Sequence, residues 1–108
     1  MPLESQTKPE FKKIVLLGIG EELLTEEYWK RLEPLAEKTA RVPKDDPNMI
    51  RHLADADCLL VNQFVIPAPK EIIDDAPNLK YIGVFSTAYG KVDIEHAKKK
   101  GIVVCNIP

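Results

Sequence analysis

Short apolar runs of strand length, each separated from the next by a segment with helical spacing, constrain this 108-residue chain more than any other feature. β-rich runs occupy residues 14–17, 58–61, 79–85 and 102–105, and a weaker one lies at 39–42. In the stronger runs the apolar residues are largely continuous rather than alternating. That is the pattern of strands covered on both faces of a parallel sheet. The resulting order is β-α-β-α-β-α-β-α-β, with no internal repeat and no low-complexity stretch.

Local signals place the helices between these runs. Thr25 caps a first helix, with Glu26 and Glu27 at its positive end and Leu24, Tyr28, Leu32 and Leu35 as one apolar stripe. Pro34 removes a backbone donor and should kink that helix or split off its last turn. Asp46-Pro47 reads as a cap followed by proline at the first helical position, with Ile50, Leu53 and Ala54 facing inward. Pro69 opens a third, short helix that ends near Pro77. Asp93 caps a fourth, Ile94 and Ala97 face in, and Lys98, Lys99, Lys100 and Gly101 close it. Five strands with four crossovers predict an α/β, flavodoxin-like open parallel five-stranded sheet in order 2-1-3-4-5, with helices on both faces.

A chain of this length is one domain, and residues 1–11 read as a polar, flexible leader without the apolar core of a signal peptide. The formal net charge of −2 argues against a nucleic-acid partner, which would require a basic patch. No apolar run approaches the roughly 20 residues that span a bilayer, so no membrane partner is expected. Cys58 and Cys105 each sit in an apolar run, without the CxxC spacing of a metal or redox site. Both are expected to be buried free thiols, which fits a cytoplasmic protein.

Residues 14–20 run from an apolar strand into Gly18-Ile19-Gly20, the opening of a dinucleotide fingerprint. The third glycine of G-x-G-x-x-G is absent, because Leu23 stands there. Glu21 and Glu22 bring negative charge to the place of a pyrophosphate. Arg41 offers at best a 2′-phosphate contact. An FMN site would need a Ser/Thr/Gly-rich phosphate loop there, and a phospho-acceptor receiver would need an aspartate where Asn62 ends the third strand. No cofactor site is therefore expected in this chain.

Residues 77–108 carry a more specific pattern. A P-x-L-K strand leads to a small-residue loop, Val92-Asp93, an alanine-bearing helix and then G-I-x-V-x-N-x-P. This stretch resembles the D-isomer-specific 2-hydroxyacid dehydrogenases, and the resemblance extends from about Lys12 to Pro108. The tyrosine-containing loop is similar to the glycerate and hydroxypyruvate reductase branch.

The resemblance implies that this flavodoxin-like domain is the substrate, or catalytic, domain, and that NAD or NADP sits on a separate Rossmann domain beginning after Pro108. It implies a substrate carboxylate near the backbone amides of Thr87 and Ala88, with Tyr89 beside them. Asn62, Gln63 and Phe64 would line the same crevice. Bare amides at the carboxyl ends of strands suit an anion. Ala88 stands where the family often has glycine. The family's catalytic arginine, glutamate and histidine belong to the cofactor domain, so none is assigned here. His52 and His96 read as surface or half-buried helix residues, and the Lys98–Lys100 run as a solvated helix end.

The leading expectation is thus an isolated substrate-binding portion of a dehydrogenase for a small 2-hydroxy or 2-keto acid, truncated before its NAD-binding domain and inactive alone. The alternatives are a stand-alone small-carboxylate binding module, or a truncated scaffold of the kind used in folding and evolution studies. The family's C-terminal covering segment would also be absent, which leaves apolar sheet surface open and predicts a homodimer.

Overall fold

The computed structural model describes residues 10–19, 25–62, 64, 66–85 and 91–106. Among the described residues the sheet has five strands, β1 (Phe11–Leu17), β2 (Ala36–Val42), β3 (Cys58–Val61), β4 (Tyr81–Val84) and β5 (Val103–Asn106). Helices α1 (Glu26–Leu32), α2 (Met49–Ala54), α3 (Lys70–Asp74) and α4 (Ile94–Lys99) connect them, with a 3₁₀ turn at Glu33–Leu35. The sheet is wholly parallel and its spatial order is β2-β1-β3-β4-β5, the 2-1-3-4-5 order expected from sequence.

The two-residue period of the strands splits the core into two layers. Val15, Leu17, Leu59, Val61, Ile82 and Val84 point to one face, where Leu53 of α2, Ile73 of α3 and Ala97 of α4 cover them. Ile14, Leu16, Cys58 and Leu60 point to the other, where Trp29 and Leu32 of α1 pack. Helices therefore lie on both faces. Each fully buried aliphatic side chain contributes about 1.5–3 kcal/mol.

Several local expectations hold in atomic detail. The Thr25 hydroxyl accepts from the Tyr28 amide, and the Asp93 carboxylate accepts from the His96 amide. Pro34 does split off a 3₁₀ turn at the end of α1. At the end of α4, the amide of Gly101 (φ 76°) donates to Lys98 O at 3.0 Å and that of Ile102 donates to Ala97 O at 2.9 Å. This paired closure needs a left-handed residue, which glycine adopts without strain.

Other expectations need correction. β2 begins at Ala36 rather than at residue 39. As an edge strand it exposes Glu37, Lys38 and Arg41, charges that discourage pairing with another chain but hide the strand from an apolar-run search. Of the expected stripe Leu32 packs inward, beside Trp29, whereas Tyr28 and, in the 3₁₀ turn, Leu35 are exposed, and Leu24 lies outside the described residues. In α2, Ile50 and Ala54 face solvent, and Leu53 packs inward with half-buried Met49 and, just beyond the helix, Ala56. Asp46 does accept from the Asn48 amide, but in a turn that precedes the helix rather than as its cap. Cys105 is exposed because β5 is the outer strand and Cys105 points away from the α4 side, where its neighbour Val104 packs. Cys58 is buried, and burial, aided by the neighbouring Asp57, pushes its thiol up to about 12.

One buried polar group organises the amino ends of the strands. Asp57, 4% exposed, accepts from the amides of Lys12 (2.9 Å) and Lys13 (3.0 Å) through its two carboxylate oxygens. Its main chain donates to Lys13 O (3.2 Å) and accepts from the Lys80 amide (2.9 Å). One residue thus stitches β1, β3 and the approach to β4.

Candidate functional site

The carboxyl ends of the strands form a level rim. Leu17 is in register with both Val42 and Val61, Val61 with Val84, and Val84 with Asn106. Chain direction across the sheet reverses between β1 and β3, the point at which parallel α/β sheets open a crevice for ligands. At that point the Asn62 amide donates to Leu17 O at 2.9 Å, so the loop leaving β3 is fixed to the end of β1. The Asn62 side-chain oxygen accepts from the Phe64 amide (3.3 Å), and its carbonyl accepts from the Ile66 amide (3.0 Å). Asn62 is thereby spent as a turn former. The turn lifts Phe64 outward, leaving it 67% exposed.

The segment leaving β4 meets this loop. Phe85 donates its amide to Val61 O at 2.9 Å, and its half-buried side chain packs against the α1-side core. The Lys91 ammonium lies 5.8 Å from the centre of the Phe64 ring. Ala68 and Val92 form a parallel bridge, in which the Ala68 amide donates to Lys91 O and the Asp93 amide to Ala68 O, both at 3.0 Å. The two crevice segments are therefore joined just before α3 and α4 begin.

Of the residues expected to line the site, Asn62 and Phe64 stand on this rim. Gln63, Thr87, Ala88 and Tyr89 lie outside the described residues. Lys91 and Phe85 were not singled out from the sequence. Their role depends on which loops the topology joins, and only the bridge reveals that.

Neither histidine stands free at the rim. His52 is a half-buried residue of α2. His96 places Nε2 at 2.6 Å from Asp74 Oδ1, and Lys100 Nζ reaches the same oxygen at 3.0 Å. Hydrogen bonds from His96 and then Lys100 hold the Asp74 carboxyl below its ordinary value of 3.8. A carboxylate with a depressed folded-state pKa contributes stability above its unfolded value, and loses it as pH falls through the lower folded value. The urea midpoint of the chain should accordingly exceed that of Asp74→Asn at neutral pH. The gap should close as pH falls below the ordinary value of 3.8. A gap unchanged down to about pH 2 would remove this assignment.

The described residues do not fit a dinucleotide. Gly18 (φ 67°) spends its amide on Val42 O at 2.9 Å, which extends the strand ladder, and the Ile19 side chain is buried in the core. The Arg41 guanidinium lies 4.4 Å over the Trp29 ring, a cation–π contact rather than an open phosphate donor. Among the described residues no cluster of His, Cys, Asp and Glu could hold a metal ion, and no helix is long and apolar enough to cross a membrane. The cavity of about 330 Å³ near Lys12, Asp57 and Lys80 lies at the opposite, amino end of the sheet, and Asp57 has both carboxylate oxygens engaged there.

A hydroxypyruvate reductase of Blautia hydrogenotrophica is 38% identical over 85 residues, covering 74% of this chain and 25% of that protein. The chain thus spans about a quarter of that relative's length. Among solved structures, an NAD+-bound 3-phosphoglycerate dehydrogenase of Entamoeba histolytica matches with TM-score 0.70 and 27% identity, over 90% of this chain and 33% of that one. The fold is also that of a D-lactate dehydrogenase of Aquifex aeolicus, with TM-score 0.71 and 23% identity, over 88% of this chain and 28% of that one. Residues 9–108 match the family described as D-isomer specific 2-hydroxyacid dehydrogenase, catalytic domain, and the chain belongs to that family.

Proposed function

We propose that this chain is the substrate-binding portion of an NAD(P)-dependent D-2-hydroxyacid dehydrogenase, and that its rim holds the carboxylate of a small 2-hydroxy or 2-keto acid. The observation that carries this reading is the bridged crevice: Asn62 is locked to the end of β1, and Ala68–Val92 ties the β3 and β4 segments together. Backbone amides at strand ends receive an anion without a dedicated cation, and the Lys91 ammonium beside Phe64 adds positive charge at the mouth. Thr87, Ala88 and Tyr89 follow β4 in the chain and would supply further amides. Hydride transfer needs a cofactor surface and a general acid, neither of which the described rim provides. The chain alone is accordingly proposed to be inactive in it. The two free cysteines support a reducing, cytoplasmic setting.

Titration of the ¹⁵N-labelled chain with oxalate or glycerate tests the binding half of the proposal. Amide shifts should concentrate at Asn62, Phe64 and residues 87–90, with a millimolar Kd, about −4 kcal/mol. Shifts confined to other regions would refute it. Purified chain with NADH or NADPH and glyoxylate or hydroxypyruvate should give no turnover above blank. Turnover that survives replacement of both histidines would overturn the inactivity.

The chain alone is also proposed to pair as a homodimer through its outer strand. β5 carries no charged residue, and Val103 is 56% exposed beside exposed Cys105. An uncharged, partly apolar edge invites association. Light scattering should give twice the chain mass at the higher concentrations, and a monomer at every concentration would refute the proposal.

A further inference from the structure

We propose that His96, with Asp74 and Lys100, forms a pH-sensitive clasp between α3 and α4 that sets the spacing of the two crevice segments, making His96 a positioning residue for the carboxylate site. This rests on the binding reading above. The geometry is continuous. Ala68 and Val92 are bridged, α3 starts after Pro69, and α4 starts at its cap Asp93. The two helices leaving the bridge are then fastened to each other at one oxygen, Asp74 Oδ1, by His96 at 2.6 Å and Lys100 at 3.0 Å. Bridge and clasp close a ring through both crevice segments. A change in how the helices sit is transmitted to the loops at Asn62–Phe64 and Lys91.

The charge balance supplies the direction. Asp74 reaches from α3 to His96 of α4 and to Lys100 at its C-cap, while Asp93 engages the His96 amide through its carboxylate. Lys70, Glu71 and Asp75 on or beside α3, and Glu95, Lys98 and Lys99 on α4, are the remaining charges on or bordering the two helices. β5, packed against α4, brings no charge. With His96 protonated, Asp74 holds two cations and the clasp is tight. With His96 neutral, a hydrogen bond remains but one of the two charge attractions is lost. The depressed Asp74 pKa agrees with this coupling. The carboxylate ligand should therefore bind more tightly when His96 is protonated.

The chain holds two histidines, so the assignment is separable by mutation. Oxalate, a dianion across the range, is titrated by NMR at about pH 5.5 and pH 8, the window in which imidazoles ionise. The Kd should rise about two- to fivefold toward pH 8 in the unmodified chain and in His52→Gln, the size expected of one partly exposed ion pair. It should be flat in His96→Gln and Asp74→Asn. A rise that persists in His96→Gln, or none in the unmodified chain, overturns the clasp. The ligand-free chain gives an independent reading. The amides of Ile66 and Ala68, bonded to Asn62 O and Lys91 O, should titrate with the same midpoint as the His96 ring protons. Should oxalate bind at neither pH, the carboxylate reading fails and those amide titrations decide the clasp by themselves. Amides that ignore the His96 midpoint reject it.

Discussion

Asp57→Ala should lower the unfolding free energy by about 3 kcal/mol, through loss of two charge-assisted hydrogen bonds to backbone donors. The Lys12 and Lys13 amides would lose the acceptor that now meets them at 2.9 and 3.0 Å. Asp57 itself is almost completely buried, so an alanine there leaves polar groups facing an apolar patch. Partial access of water at Lys12, beside the amino-end cavity, keeps the loss below the sum of two fully buried bonds. Asp57→Asn, with one acceptor oxygen in place of two, should fall about midway. Urea unfolding with unchanged slope is the measurement. A loss under about 1 kcal/mol would mean that solvent takes over the bonds.

Leu53→Ala should be of similar or larger effect, about 3–4 kcal/mol, from lost burial and the cavity left behind. Leu53 is fully buried and is the only buried side chain of α2 among the described residues. A six-residue helix has no stability of its own and holds its place by that contact. Ile50→Ala on the same helix should change stability by no more than about 0.5 kcal/mol, since its side chain is 66% exposed. The pair tests the face of α2 directly, because the sequence expectation treats both residues as inward. Equal losses would restore that expectation.

The two layers of the core were legible because strands buried on both faces need unbroken apolar runs, and residues 14–17 and 58–61 have them. Strand β2 was legible only in its second half. An edge strand meets solvent along one side, so Glu37 and Lys38 carry no apolar signal. Helix faces were harder. Tyr28 and Trp29 are adjacent, and the tertiary position of α1, not its composition, decides which turns inward. At the site, Asn62 and Phe64 could be named from a family pattern. Lys91, Phe85 and the Asp74–His96 contact could not, because each joins segments far apart in sequence that only the parallel topology brings together. Asp57 hid for a related reason. An aspartate beside a loop usually meets water, and its burial follows from the amides of a strand encoded much earlier in the chain.

The strand order has a consequence for synthesis. β1 is made first and ends between β2 and β3, the next two strands produced, while β4 and β5 then join one after another at a single side. No later strand must part a pair that has already formed. As the chain leaves the ribosome from its amino end, the sheet can widen by accretion. Asp57 arrives at the moment β3 begins and fastens the start of β1 before β4 exists. The rim that carries the crevice becomes complete only when β4 and the segment behind it have docked, so the proposed binding surface forms after the first three strands are in place.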